Sequence, residues 1–234
     1  MKFKVKIFAD GADIAHVTRL ASDPMISGFT TNPTLMRQAG VADYESFAKS
    51  MLQVVGDRPV SFEVFSDEFD EMERQAMVIA SWGTNVYVKI PITNTKQESA
   101  IPLVKRLSEN GVKVNVTAIF TKTQIDDATA ATIPGPGANI SVFAGRIADA
   151  GIDPCPYIVH AVSVSDPHKH IDVIWASPRE VLNVVQADAL GCQIITVTPD
   201  ILKKVPNLGK DLGTYSLETV QMFYRDATEA GYSL

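Results

Sequence analysis

The chain has 234 residues, 46% of them hydrophobic, and its 21 basic and 27 acidic side chains give a formal charge of −6. That is enough apolar material for one sizeable core, and an acidic balance without long single-sign runs argues against nucleic acid or an anionic membrane surface as a partner. Two cysteines, Cys155 and Cys192, lie far apart and outside any C-x-x-C pattern, which argues against a disulfide framework or a zinc site and fits a reducing cytosol.

The opening residues, MKFKVKIFAD, place lysines ahead of a short apolar run, and charge returns at Asp10. The run is too short for a signal sequence and reads as a first strand over residues 5–9. A helix-like stretch follows at 14–22, with Asp13 the better N-cap than Asp10. The next strand, 28–31, runs into Thr30-Thr31-Asn32-Pro33, and a helix is expected over 43–55. A third strand, 60–65, contains Ser61 and Glu63; a helix follows at 68–82. Strand 85–92 carries Lys89 and is followed by a helix over 97–110. Strand 113–119 holds Asn115 and Thr117 ahead of a helix at 121–132. Strand 139–144 holds Ser141 and Phe143, with Arg146 just beyond. Over 151–171, Pro154, Pro156 and Pro167 are expected to interrupt any long helix. Strand 172–176 ends at Ser177 and Arg179, a last strand spans 193–197, and a final helix is expected over 217–230.

Most of these strands are nearly continuous apolar runs, as strands buried on both faces are. Gly56, Gly83, Gly111 and Gly191 sit where helices end and a left-handed cap is wanted. Eight strand–helix alternations favour an α/β fold: a single (β/α)8 TIM barrel with an extra C-terminal helix, one domain over residues 1–234. A doubly wound sheet, with its usual five or six units, comes second. No run approaches the roughly 18 apolar residues that span a bilayer, so a soluble, cytoplasmic protein is expected.

In such a barrel chemistry sits at the carboxyl ends of the strands. Ser61 and Glu63, Asn115 and Thr117, and Ser141 and Phe143 are each two apart, so each pair faces one side of its strand. Polar groups inside apolar runs are costly unless they meet one another or a ligand. Several strands making the same exception imply a shared polar cavity. Lys89, between Val88 and Ile90, stands out: desolvation makes an amine nucleophilic, and such an amine condenses with a ketone. It also reads as a structural lysine paired with Glu63 or Asp10, or one that snorkels outwards. Asp10 suits either proton transfer or capping. Arg146 and Arg179 suit an anion, and equally a surface ion pair.

These residues resemble the transaldolase family, in its short-chain branch that also contains the fructose-6-phosphate aldolases. The motifs are Phe8-Ala9-Asp10, Thr30-Thr31-Asn32-Pro33, Ser61-Phe62-Glu63, Val88-Lys89-Ile90-Pro91, Asn115-Val116-Thr117-Ala118 and Ser141-Val142-Phe143-Ala144-Gly145-Arg146. The resemblance implies a Schiff-base lysine at Lys89, an acid/base at Asp10, and a catalytic water held by Glu63 and Thr117. It implies that Thr30, Asn32, Ser61, Asn115, Ser141, Phe143 and Ser177 line the substrate and that Arg146 and Arg179 bind its phosphate. The implied reaction moves a dihydroxyacetone unit from fructose 6-phosphate or sedoheptulose 7-phosphate to an aldose phosphate, with no metal or organic cofactor. Glu63 and Phe143 resemble the transaldolases, whereas the aldolases tend to carry Gln and Tyr at these places. A lyase of the aldolase type remains the alternative.

One stretch departs from the pattern. The seventh strand is followed by Ser177-Pro178-Arg179, with proline where the family has an aromatic, and a second register would make Pro178-Arg179 the start of a helix. With His160, His168 and His170 expected near the phosphate end, the anion-binding side reads either as ordinary loop drift or as remodelled for another phosphorylated or sulfonated ketose. In the C-terminal helix, Leu217, Val220, Phe223, Tyr224 and Ala227 form an apolar stripe. It suits the barrel's own surface or, as the resemblance implies, a neighbouring subunit in a pentamer or decamer.

Overall fold

The computed structural model describes residues 3–233. Eight parallel strands close into a barrel in sequence order: β1 (Lys6–Asp10), β2 (Ile26–Thr30), β3 (Val60–Glu63), β4 (Val86–Pro91), β5 (Val114–Ile119), β6 (Ala138–Val142), β7 (Ile171–Trp175) and β8 (Ile194–Val197). Each short β-branched run becomes one strand, and β8 pairs back onto β1. Parallel neighbours require crossovers, supplied by α1 (Ile14–Ala21), α2 (Pro33–Gln38), α3 (Tyr44–Val55), α4 (Phe69–Ala80), α5 (Ile101–Glu109), α6 (Lys122–Thr132), α7 (Ala144–Asp149), α8 (Cys155–Ser165) and α9 (Leu182–Ala189). The short α10 (Pro199–Leu202) and the long α11 (Leu212–Glu229) follow β8.

The helices start where a side chain can satisfy their free N–H groups. Asp13 caps α1 by accepting from His16 N at 2.8 Å, as its position in the sequence suggests. Asn32, Asp43 and Asp211 cap α2, α3 and α11 in the same way. Gly56, Gly111 and Gly191 have the expected positive φ, but Gly83 does not. An added Cβ at Gly83 would instead meet Asn85 Oδ1 at 2.9 Å, so close approach is what this glycine provides.

The prolines of residues 151–171 do not break a helix, contrary to expectation. Pro154 is the N-cap and Pro156 sits in the first turn of the 11-residue α8, where its missing N–H has no partner to lose. Pro167 lies beyond the helix end and stops it.

The outer faces of the strands and the inner faces of the helices form the main hydrophobic core, from Ile7 and Ala9 through Val88, Ile90 and Val116 to Ile195 and Val197. A second, small apolar cluster of Phe8, Ile174, Ala176 and Ile194 lies apart from it, with Phe143 packed against it. Strand alternation places this cluster inside the barrel. Phe8 fits because its register partner is Gly28, where an added Cβ would fall 2.5 Å from the ring. The rest of the interior is polar. The runs that read as doubly buried are therefore apolar on the helix-facing side and polar on the lumen side, which is where a site forms.

Candidate active site

The lumen opens at the carboxyl ends of the strands into a cavity of about 590 Å³. Register brings its side chains together: Asp10 lies opposite Thr30, Glu63 opposite Lys89, Lys89 opposite Asn115, and Pro91 opposite Thr117. Asp10, Thr30, Asn32, Glu63, Lys89, Asn115, Thr117, Ser141, Phe143, Arg146, Ser177 and Arg179 all line it. Ser61 does not. It lies one side-chain layer deeper on β3, almost fully buried, and accepts a hydrogen bond from Asn115 Nδ2 at 3.0 Å. Asn115 Oδ1 in turn accepts from Ser141 Oγ at 2.6 Å. The chain Ser141–Asn115–Ser61 fixes the amide of Asn115, so Ser61 supports the cavity floor from below.

Lys89 is 7% exposed. Its Nζ lies 3.0 Å from Glu63 Oε2 and donates to the Thr31 carbonyl at 2.9 Å. Of the alternatives open in the sequence, pairing with Glu63 is the arrangement present. A buried cation of this kind needs a partner, and the partner here is also a proton acceptor. Passing the ammonium proton to Glu63 would leave a primary amine facing the cavity, the form that attacks a carbonyl. The end of β3 is held in place: Tyr44 OH donates to the Glu63 carbonyl at 2.7 Å, and Gln75 Oε1 receives Phe65 N and Ser66 N in the loop beyond.

Asp10 accepts a hydrogen bond from Thr30 Oγ1 at 2.8 Å. Burial pushes its carboxyl above the ordinary value of 3.8, against the opposing pull of Lys89 and Thr30 and with a small push from Glu63. A carboxylate with a raised pKa is a better base than a solvated one. Thr117 Oγ1 is buried and has no hydrogen-bond partner among the described residues. Such a group is costly unless a small polar molecule serves it.

The mouth is unequal in charge. The Arg146 guanidinium lies 5.9 Å from the Phe143 ring centre, and among the described residues no ion pair within 4.0 Å engages it. Arg179 is committed. Its Nε and Nη2 reach Asp149 at 2.9 and 2.5 Å, and its Nη1 donates to Ser177 O at 3.1 Å and Ser177 Oγ at 3.0 Å. Ser177 has φ 59°, a left-handed conformation that non-glycine residues rarely adopt. Gly145 makes room for it, since a Cβ there would lie 1.5 Å from the Ser177 carbonyl oxygen. Pro178-Arg179 does not begin a helix: α9 starts at Leu182, and Asn183 Oδ1 accepts from Arg179 N and Glu180 N ahead of it.

The histidines lie elsewhere than expected. His160 sits on α8 with Nε2 2.6 Å from Asp126 Oδ1 on α6. His168 and His170 precede β7 and therefore lie at the amino-terminal end of the barrel, opposite the cavity. Of the two departures read from the sequence, only Ser177-Pro178-Arg179 is at the mouth.

Several lining residues escape the sequence reading. Thr196 and Thr198 contribute from β8 and its end, and Thr34 and Gln38 from α2. Thr196 Oγ1 is hydrogen-bonded to Thr30 Oγ1. The same two-residue spacing that marks Asn115 and Thr117 was available at Thr196 and Thr198.

The family described as Transaldolase/Fructose-6-phosphate aldolase matches residues 7–234. The chain belongs to this family. A probable transaldolase of Dehalococcoides mccartyi is 34% identical over 202 residues, which span 86% of this chain and 90% of that relative. A probable transaldolase of Streptococcus agalactiae is 37% identical over 198 residues, spanning 84% and 86%. Among solved structures, KGPDC from Streptococcus mutans superimposes with a TM-score of 0.58 at 9% identity, over 86% of this chain and 91% of that one. QR15, an aldolase, gives 0.55 at 13% identity, over 88% and 97%. At these identities the likeness is one of barrel fold.

The raised pKa of Asp10 has a consequence for stability. A carboxyl that holds its proton more tightly when folded costs stability as pH rises from its unfolded pKa through the folded one. Asp10→Asn is therefore expected to be more stable than the wild type at pH 7, with the difference shrinking on acidification towards 3.8. Urea unfolding at pH 5 and pH 7 checks this; a variant less stable at pH 7 would contradict it.

Proposed function

We propose that this protein is a transaldolase: it moves a dihydroxyacetone unit from a ketose phosphate, such as fructose 6-phosphate or sedoheptulose 7-phosphate, to an aldose phosphate. The observation that carries this reading is a buried amine, Lys89 Nζ, facing the cavity 3.0 Å from a carboxylate that can take its proton. Family membership supplies the substrate class, and the named relatives are probable transaldolases.

On this reading the Lys89 amine adds to the ketose C2 carbonyl. The carbinolamine loses water, with Glu63 and a water held at Thr117 moving the protons, and leaves an iminium. Asp10 takes the proton of the C4 hydroxyl, the C3–C4 bond breaks, and its electron pair flows into the iminium to give an enamine. An aldose phosphate departs. The enamine then attacks the carbonyl carbon of the acceptor aldose, Asp10 returns its proton to the new hydroxyl, and water hydrolyses the iminium to release the new ketose. Burial suits Asp10 to this exchange because it lowers the cost of holding the proton between the two halves. Asn32, Asn115 and Ser141 line the space for the sugar hydroxyls, and Arg146 is the cation available to the phosphate. Phe143 carries no hydroxyl with which to protonate the enamine, which favours transfer over release of free dihydroxyacetone.

The chain is proposed to act in the cytoplasm as a homo-oligomer. No helix among the described residues is long and apolar enough to cross a membrane, and Cys155 and Cys192 are unpaired. The stripe on α11 does not cover its own barrel: Leu217, Val220, Phe223 and Tyr224 are 57, 59, 62 and 76% exposed. An apolar row of this extent supports a contact with another subunit.

Lys89→Met and Lys89→Arg, the latter keeping a cation beside Glu63, are expected to lower transfer from fructose 6-phosphate to erythrose 4-phosphate by about 10³-fold or more while remaining folded. The wild type should transfer faster than it releases dihydroxyacetone. Full activity in either variant would overturn the reading. Light scattering should give a mass several times 25.4 kDa, and Phe223→Asp should reduce it; a monomer in the wild type would contradict the assembly.

A further inference from the structure

The helix α7 carries Arg146 and Asp149 three residues apart, so both stand on one face. Asp149 does not line the cavity, yet it accepts from Nε and Nη2 of Arg179, thirty residues away on the loop after β7. Nη1 of Arg179 is spent on the Ser177 carbonyl and hydroxyl. A guanidinium has five N–H donors, and these bonds occupy all but one of them. Arg179 hydrogen bonding in turn holds the Asp149 carboxyl below its ordinary value of 3.8. Asp149 is thus an anion at neutral pH.

We propose that Asp149 is a specificity-determining residue: by engaging Arg179 it leaves one free guanidinium, that of Arg146, to meet the anionic end of the substrate. This rests on the reading of the cavity as a ketose site. A dianionic phosphate gains from each cation it reaches, whereas an uncharged hydroxymethyl end gains nothing. The Asp149 carboxylate therefore lowers the advantage of phosphorylated over unphosphorylated donors. It does so by occupying Arg179, the arginine it contacts directly. The pair is largely solvated and so weak as a source of stability, which makes its removal a clean change in charge at the mouth.

The test compares wild type, Asp149→Asn and the double variant Asp149→Asn/Arg179→Gln, with fructose 6-phosphate and fructose as donors. Asp149→Asn is expected to raise the ratio of kcat/KM for the phosphorylated over the unphosphorylated donor by roughly three- to ten-fold. The gain should come through KM with kcat little changed, and should fade at high salt, as an exposed charge effect does. The double variant should lose it. A ratio unchanged or lowered in Asp149→Asn, or a gain that persists in the double variant, would overturn the proposal. Titration with inorganic phosphate separates this from the ketose reading. Tighter phosphate binding by Asp149→Asn with no donor turned over would retain Asp149 as the charge-setting residue and remove the ketose assignment. Turnover with neither ratio nor phosphate affinity altered would do the reverse.

Discussion

An ammonium and a carboxylate held 3.0 Å apart inside a barrel make the interaction on which the rest of this structure depends. Either Lys89 or Glu63 alone would cost stability at this depth, because an unpaired buried charge is expensive. Together they are tolerated, and a proton moved along the pair would uncharge the amine and the acid at once. Much of the local architecture serves that distance. The β3–β4 register sets the two residues side by side, Tyr44 and Gln75 brace the end of β3, and the Thr31 carbonyl receives a second Nζ hydrogen bond. A barrel interior filled with branched aliphatic side chains would be more ordinary. Here the patch around Phe8, Ile174 and Ile194 is of that kind, and the polar remainder includes the walls of the cavity.

Much of this is legible in the sequence because a parallel strand announces itself twice, by β-branched residues and by the turn residues that bound it. All eight strands lie where those signals fall. The lumen face is legible for a related reason. Glu63, Lys89, Asn115, Thr117 and Ser141 are exceptions to their own apolar runs, and period two assigns them to one side. Depth is what periodicity does not encode. Ser61 shares its face with Glu63 but sits one layer lower, so it props Asn115 from beneath. Thr196 is missed because threonine is itself a good strand former and the residue two before it is Ile194, whereas Thr117 follows Asn115 on its face. The prolines around α8 mislead because proline is read as a breaker, and only its position within the first turn decides otherwise.

The mouth is least legible. Arg146 and Arg179 look equivalent in sequence, each a basic residue just past a strand. They differ because Arg179 meets Asp149, a contact across thirty residues that no local pattern announces. Arg179 is also tied through Nη1 to Ser177, whose left-handed backbone needs Gly145 beneath it. Charge, backbone strain and a glycine thus form one assembly at the mouth, while Asp10, Glu63 and Lys89, the residues proposed to carry the carbon–carbon chemistry, lie deeper. On the proposed reading, reactivity and selectivity fall to different layers of the same cavity.

The most direct measurement of the central claim is reduction with borohydride in the presence of fructose 6-phosphate, followed by mass mapping of the peptides. The account predicts a stable sugar-derived adduct confined to the peptide that contains Lys89. No adduct, or one on another lysine with Lys89 unmodified, would contradict it.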